Sequence, residues 1–236
     1  MARFIVFEGG EASGKSTQSA RLAERLGAVH TREPGGTEIG SALRDLLLDA
    51  RTAGLSDRAE ALLMAADRAQ HVAEVVRPAL AAGRHVVSDR YAGSTLAYQG
   101  YGRGLPVFEL RRLSGWAANE LWPDLIVLLD VPRSVASGRA GRTPDRMEAA
   151  GEAFHDRVLR GYQALAAADP VRWAIVDGTA GADDVAEAVW EAVTHRLPDL
   201  ADPPGAPTPS PPPPPRKPHL LHERGEPGGS GPRPVA

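Results

Sequence analysis

The sequence predicts an α/β fold: a parallel sheet of five strands with helices on both faces. Three observations carry that reading. Five short apolar runs recur along the chain, at 4–8, 28–31, 85–88, 125–130 and 173–176, without the strict in-and-out alternation of a half-solvated strand. Helical patterns at 15–26, 38–50, 57–82, 106–121, 149–168 and 182–196 fill the intervals, so strands and helices alternate as in βαβ units. The first strand also runs directly into Gly9-Gly10-Glu11-Ala12-Ser13-Gly14-Lys15-Ser16, which fits G-x-x-x-x-G-K-[ST], a phosphate-binding loop between strand and helix.

That loop organises the chain. Backbone N–H groups must wrap a polyphosphate, and Gly9 and Gly14 remove the side chains that would block the approach. Lys15 offers a cation to the terminal phosphates, Ser16 a hydroxyl to a divalent metal, and Thr17 continues the helix whose positive end faces the anion. Of 27 basic residues only Lys15 and Lys217 are lysines. A chain this biased to arginine keeps lysine where a compact ammonium is wanted.

The bulk properties narrow the classes. A formal net charge of −3 gives no general field for nucleic acid or anionic lipid. Zero cysteines exclude disulfides, thiolate metal sites and a cysteine nucleophile, and they suit a reducing cytoplasm. The early strand leaves no room for a signal peptide, and no apolar run reaches the roughly 18–20 residues of a membrane span. Residues 198–236 hold 14 of the 21 prolines with four acidic and four basic residues. Such a segment lacks the apolar surface to fold, so the expected division is a domain over 1–197 and a disordered proline-rich tail.

The polar clusters that stand out follow a strand or lie in a loop that can reach the edge where ligands bind in parallel sheets. After the second come Thr31 to Thr37 (TREPGGT) and then Arg44; a solvated turn is one reading, and guanidinium forks for a second phosphate are the other. The helix at 57–77 shows an apolar stripe through Leu62, Leu63, Ala66, Val72, Val75 and Val76, interrupted by Arg68 and Gln70, which default to a solvated face. After the third strand, Asp89 and Arg90 suit a metal and a phosphate, or a salt bridge closing the sheet edge. The fourth ends at Asp130, a rival for the metal-organising role, and Pro132 opens a helix. Residues 137–148 then place Arg139, Arg142 and Arg146 among glycines and a proline, a basic flap that can close on developing charge.

Assembled, these blocks resemble the bacterial-type thymidylate kinases, a nucleoside-monophosphate kinase family, over roughly residues 3–196. They are FEGGEASGKSTQ (7–18), TREPGGTEIG with Arg44, LLMAADRAQH (62–71), DRYAGSTLAYQGYGRG (89–104) and RAGRTPDRME (139–148) leading into Phe154 and Tyr162. The resemblance implies a three-layer P-loop kinase fold with a mobile lid at about 137–150, and transfer of the ATP γ-phosphoryl group to dTMP with Mg²⁺. It implies Glu11 near the sugar 3′-hydroxyl and the acceptor-holding arginine, and Arg44 and Arg90 on the dTMP phosphate. Asp89 would serve Mg²⁺ with Ser16, and Arg139 and Arg142 would act from the lid because loop positions 10–13 carry no arginine. Arg68 would meet thymine O4, with Gln99 near the base and Ser94, Thr95 and Tyr98 around the sugar. Met64 stands where the family usually stacks an aromatic ring on thymine; a thioether still packs there at about 0.3–1.5 kcal/mol. The family precedent is a homodimer. Another nucleotide or deoxynucleoside kinase, or a P-loop module without an acceptor, are the alternative readings.

Overall fold

The computed structural model describes residues 1–52, 54–138 and 145–201. Its centre is β1 (Phe4–Glu8), entirely buried. β1 pairs in parallel with β3 (Val86–Asp89) on one side and β4 (Leu125–Asp130) on the other. Outside these lie β2 (Val29–Arg32) and β5 (Trp173–Asp177), giving the parallel order β2-β3-β1-β4-β5.

Alternate residues of the inner strands feed two cores. Ile5, Phe7, Val87, Leu125, Val127 and Leu129 face α1 (Lys15–Leu26) and α9 (Ala182–Arg196). Phe4, Val6, Val86, Ile126 and Leu128 face the opposite layer. That layer contains α3 (Asp57–His71), continued by a π-helical turn Val72–Val76 into α4 (Arg77–Ala81), together with α6 (Val107–Ala117) and α8 (Glu152–Ala168). α2 (Glu38–Leu48) packs beside α3, and the short α7 (Arg133–Ser137) follows β4. Local chemistry sets the ends: Thr37 accepts from the Gly40 N–H at 2.9 Å to start α2, and Gly27 at φ 59° closes α1.

Three expectations needed correction. Strands covered on both faces describe only β1, β3 and β4; the edges are half-solvated, with His30 and Arg32 exposed on β2 and Ile175 57% exposed on β5. The α3 stripe is rotated: Leu62 is 58% exposed and Ala66 also faces outward, while Ala61, Met64, Ala65, Arg68 and His71 are buried. Hydrophobicity misplaced it because this helix buries polar groups that find partners inside. The sequence also gave no helix for α5 (Ala92–Thr95) and the π-helix Leu96–Gly102. Three glycines, at 93, 100 and 102, mask the pattern there, and each is needed because a Cβ would lie within 3.0 Å of a packed neighbour.

The π-helix packs closely on α8. At Gly161 of α8 an added Cβ would sit 2.7 Å from Tyr101 Cγ and 2.8 Å from Tyr101 Cβ. Helix propensity alone favours Gly161→Ala by about 1 kcal/mol. The overlap, close to the Tyr101 backbone, reverses the sign, and a loss of about 1–3 kcal/mol is expected, measured as a lowered Tm in thermal unfolding.

Candidate active site

The carboxyl ends of β1, β2, β3 and β4 open into one cleft of about 1340 Å³. Loop 10–17, residues 30–33, Gly35, Gly36, Arg44, Asp89, Arg90 and Tyr98 line one part; Val131, Arg133, Glu148, Glu152, His155 and Leu159 line the rest.

After β1 the chain turns at Gly9 (φ 148°), where a Cβ would stand 2.7 Å from the Leu129 carbonyl oxygen, and reaches α1 through Gly14 at φ 92°. Lys15, 5% exposed, donates to the Gly10 carbonyl and to Ser13 Oγ. Burial first, then the neighbouring Arg90 guanidinium, lowers the Lys15 ammonium to about 8 despite Glu11 and Asp89 nearby. Ser16 is exposed at the head of α1, and its Oγ lies 2.5 Å from Asp89 Oδ2. Asp89 Oδ1 is buried without a hydrogen-bond partner among the described residues. Asp130 lies outside the cleft lining and pairs in strand register with Asp177.

Arg90 takes a left-handed backbone conformation at φ 73°, its N–H held by the Phe7 carbonyl at 2.9 Å. Its guanidinium donates to Gly9 O, Ser94 Oγ and Tyr162 OH from Nη1, and to Glu11 Oε1 (2.7 Å) and Tyr98 OH from Nη2. Tyr98 OH also donates to Glu11 Oε1. Burial works to raise the Glu11 carboxyl, but Arg90, Lys15 and Tyr98 outweigh it and hold the group at about 2. Behind this layer Glu8, fully buried at the end of β1, accepts from the Tyr91 and Ser94 N–H groups, Ser94 Oγ and Tyr162 OH.

The loop after β2 is pinned to α3 by buried charge. Arg68, 0% exposed rather than solvated, donates to Glu33 Oε2 at 3.0 Å, Ser114 Oγ and Thr95 Oγ1. His71 bridges Glu33 Oε1 and Thr31 Oγ1. Asp67 Oδ1 accepts from Gly35 N–H at 2.9 Å, and burial, then Glu33, raises this carboxyl to about 6. Arg44 reaches over the loop to the Pro34 carbonyl; burial, then Arg32 and Arg90, lowers its basicity.

The sequence-derived residues thus divide. Gly10, Glu11, Ala12, Ser13, Gly14, Lys15, Ser16, Thr17, Arg44, Asp89, Arg90 and Tyr98 share the cleft. Met64, Arg68, Ser94, Thr95 and Gln99 are buried behind its wall. Arg139 and Arg142 lie outside the described residues. Arg146, grouped with them in sequence, instead anchors the segment after them: it pairs with the buried Glu60 at 2.7 Å and donates to the Leu47 carbonyl. Glu60 also receives Gln99 and Arg103. Sequence reasoning missed Glu8, Glu33, Glu60 and Asp67 as parts of the site. The available signal was an acidic residue closing an apolar strand, or sitting on the inward face of a helix.

The thymidylate kinase family model matches residues 7–189. The chain is 53% identical over 209 residues to the thymidylate kinase of Solidesulfovibrio magneticus, covering 82% of this chain and all of that protein. It is 47% identical over 206 residues to the Bifidobacterium longum thymidylate kinase, covering 84% and 98%. Among solved structures it is similar to a crystal structure of thymidylate kinase from Ehrlichia chaffeensis, with a TM-score of 0.69, 30% identity and coverage of 81% and 98%.

Lys15 carries its charge below about 8 and loses it above. Affinity for inorganic tripolyphosphate, measured by calorimetry, is therefore expected to hold from pH 7 to 8. Above that it falls, approaching about tenfold per pH unit as one required proton is lost from the free site.

Proposed function

The chain belongs to the thymidylate kinase family and transfers the γ-phosphoryl group of ATP to dTMP, and we propose the following division of labour among its residues. The observation that carries it is the meeting of loop and arginines: Arg90 is bound to Glu11 of the phosphate loop, with Arg44 and Lys15 lining the same cleft. The loop over Gly9–Thr17 wraps the ATP phosphates and Lys15 neutralises their far end. Arg44 and Arg90 align the dTMP phosphate, with Glu11 beside the sugar 3′-hydroxyl.

The acceptor oxygen is already anionic near neutral pH, so no strong general base is needed. Catalysis reduces to positioning and charge neutralisation. Arg139 and Arg142 supply cations on the lid side. Mg²⁺ is the metal that fits: Ser16 and Asp89 would hold it, and the buried, unpartnered Asp89 Oδ1 is an oxygen ligand suited to a hard cation. The same oxygen favours Asp89 over Asp130. When bound, the ion neutralises charge on the β- and γ-phosphate oxygens.

Thymine lies against the α3 wall in this reading, with Met64 packing on the ring and Ser94, Thr95 and Tyr98 near the sugar. Arg68 serves thymine O4, although it is buried behind the cleft wall with three of its five N–H donors on Glu33, Ser114 and Thr95, so the contact needs that wall to rearrange. Gln99 Oε1 is buried without a partner among the described residues, an acceptor free for the base.

The kinase domain extends beyond the expected boundary at 197, because the turn Pro198–Leu200 packs on it through the buried Leu200; the rest of the expected tail, 202–236, lies outside the described residues. We assign the chain to the cytoplasm, on the cysteine-free composition. No helix among the described residues is long and apolar enough to cross a membrane. A second copy of the chain covers the face formed by α2, α3 and α6. There Ile39, Leu62, Phe108 and Trp116 are 55%, 58%, 70% and 79% exposed on helices packed side by side.

Three measurements check these assignments. Arg142→Ala and Arg139→Ala should lower kcat by up to about 10³-fold or more while moving the dTMP KM far less; an unchanged kcat in both removes the lid role. With ATP as donor, dTMP should turn over far faster than dUMP, CMP, GMP or thymidine. In sedimentation velocity, Trp116→Glu should shift the protein from dimer to monomer.

A further inference from the structure

The guanidinium of Arg90 is held by hydroxyls whose protons must point elsewhere. Its Nη1 donates to Ser94 Oγ and to Tyr162 OH, each at 3.1 Å. A guanidinium has no lone pair to accept with, so both hydroxyls must present lone pairs to it and turn their single protons away, toward each other across 2.9 Å or toward Glu8. Glu8 Oε2 lies on that far side, 2.6 Å from Ser94 Oγ and 3.1 Å from Tyr162 OH. Its other oxygen, Oε1, accepts from Tyr91 N–H at 3.1 Å and Ser94 N–H at 2.9 Å. Gly93 makes room for this carboxylate, since a Cβ there would sit 2.7 Å from Oε1.

We propose that Glu8 is a positioning residue for the acceptor side of the reaction: its carboxylate orients the Ser94 and Tyr162 hydroxyls so that they hold Arg90 against the dTMP phosphate. The proposal rests on the assignment of Arg90 to that phosphate. Glu8 is fully buried and does not line the active-site cleft, so it touches no reacting atom. Burial holds its pKa above the usual carboxylate value, and Ser94, the Arg90 charge and the two backbone N–H groups offset that rise only in part. Because the backbone fixes Oε1 as an acceptor, the position of Oε2 decides what the hydroxyls see.

Glu8→Gln separates this role from a packing role. The side chain keeps its size, and its carbonyl oxygen must take the Oε1 place to satisfy the two N–H groups. The amide NH₂ then lands opposite Ser94 and Tyr162 and donates into them; one of their two protons can stay in the bond between them, and the other is turned toward Arg90. Loss of one such bond to a charged group predicts a rise of about tenfold or more in the dTMP KM, with a smaller fall in kcat. The ATP KM and Tm stay near the parent's, whereas a general disturbance beside the phosphate loop would move both.

The closing experiment is a double-mutant cycle of Glu8→Gln with Arg90→Ala, read in both KM values, kcat and Tm. If Glu8 acts through Arg90, Glu8→Gln changes the dTMP KM less than about twofold in the Arg90→Ala background. An undiminished effect there overturns the proposal, as does a change under twofold in the parent background while Arg90→Ala alone is severe. No change in Arg90→Ala itself removes the Arg90 assignment, and the Glu8 role with it. Should Glu8→Gln fail to fold, Tyr162→Phe, which deletes one hydroxyl of the relay, must raise the dTMP KM; a change under twofold overturns the idea.

Discussion

Buried charge is the constraint on which this site depends. A carboxylate or guanidinium taken out of water costs several kcal/mol unless its hydrogen-bonding capacity is met. Three clusters here meet it: Glu8 and Glu11 around Arg90, Glu33 between Arg68 and His71, and Glu60 among Gln99, Arg103 and Arg146. Each joins elements far apart in sequence. Apolar packing can hold a sheet and its helices in many near-equivalent arrangements, but a charged cluster is satisfied in one. The rigidity that phosphoryl transfer asks of its binding groups comes from these clusters more than from the cores beneath them.

The fold was legible in sequence because its signals are local. The runs at β1 and β4 are continuous and apolar, and the phosphate loop announces the strand before it and the helix after it. The edges were less readable, since an edge strand such as β5, with Ile175 outward, differs from an inner one in its neighbours and not in its own residues. Polar residues on α3 were misread for the opposite reason. Arg68 looks like part of a solvated face until Glu33, more than thirty residues earlier, folds against it.

Site residues followed the same division. Lys15, Ser16, Asp89 and Arg90 sit in short motifs directly after strands, and topology brings strand ends together. Glu8 and Glu60 stand in no such motif, and their partners come from 39 to 154 positions away in the chain. The π-helix carrying Tyr98 and Gln99 was also unreadable, its glycines being set by how closely Val107 and Phe154 approach. Wide helical turns of this kind recur beside functional sites.

The partnership of α1 with α9 has a temporal side. The helix that follows the phosphate loop buries Leu22, Ala23 and Leu26 in a core shared with Val185, Val189 and Val193, and its outer flank is tied by Arg21 to Asp183 and by Arg25 to Glu187. A ribosome delivers α1 well before α9. Throughout synthesis the nucleotide-binding helix therefore waits with its apolar side uncovered, and the nascent chain cannot complete its second core until the residues through Arg196 have left the exit tunnel.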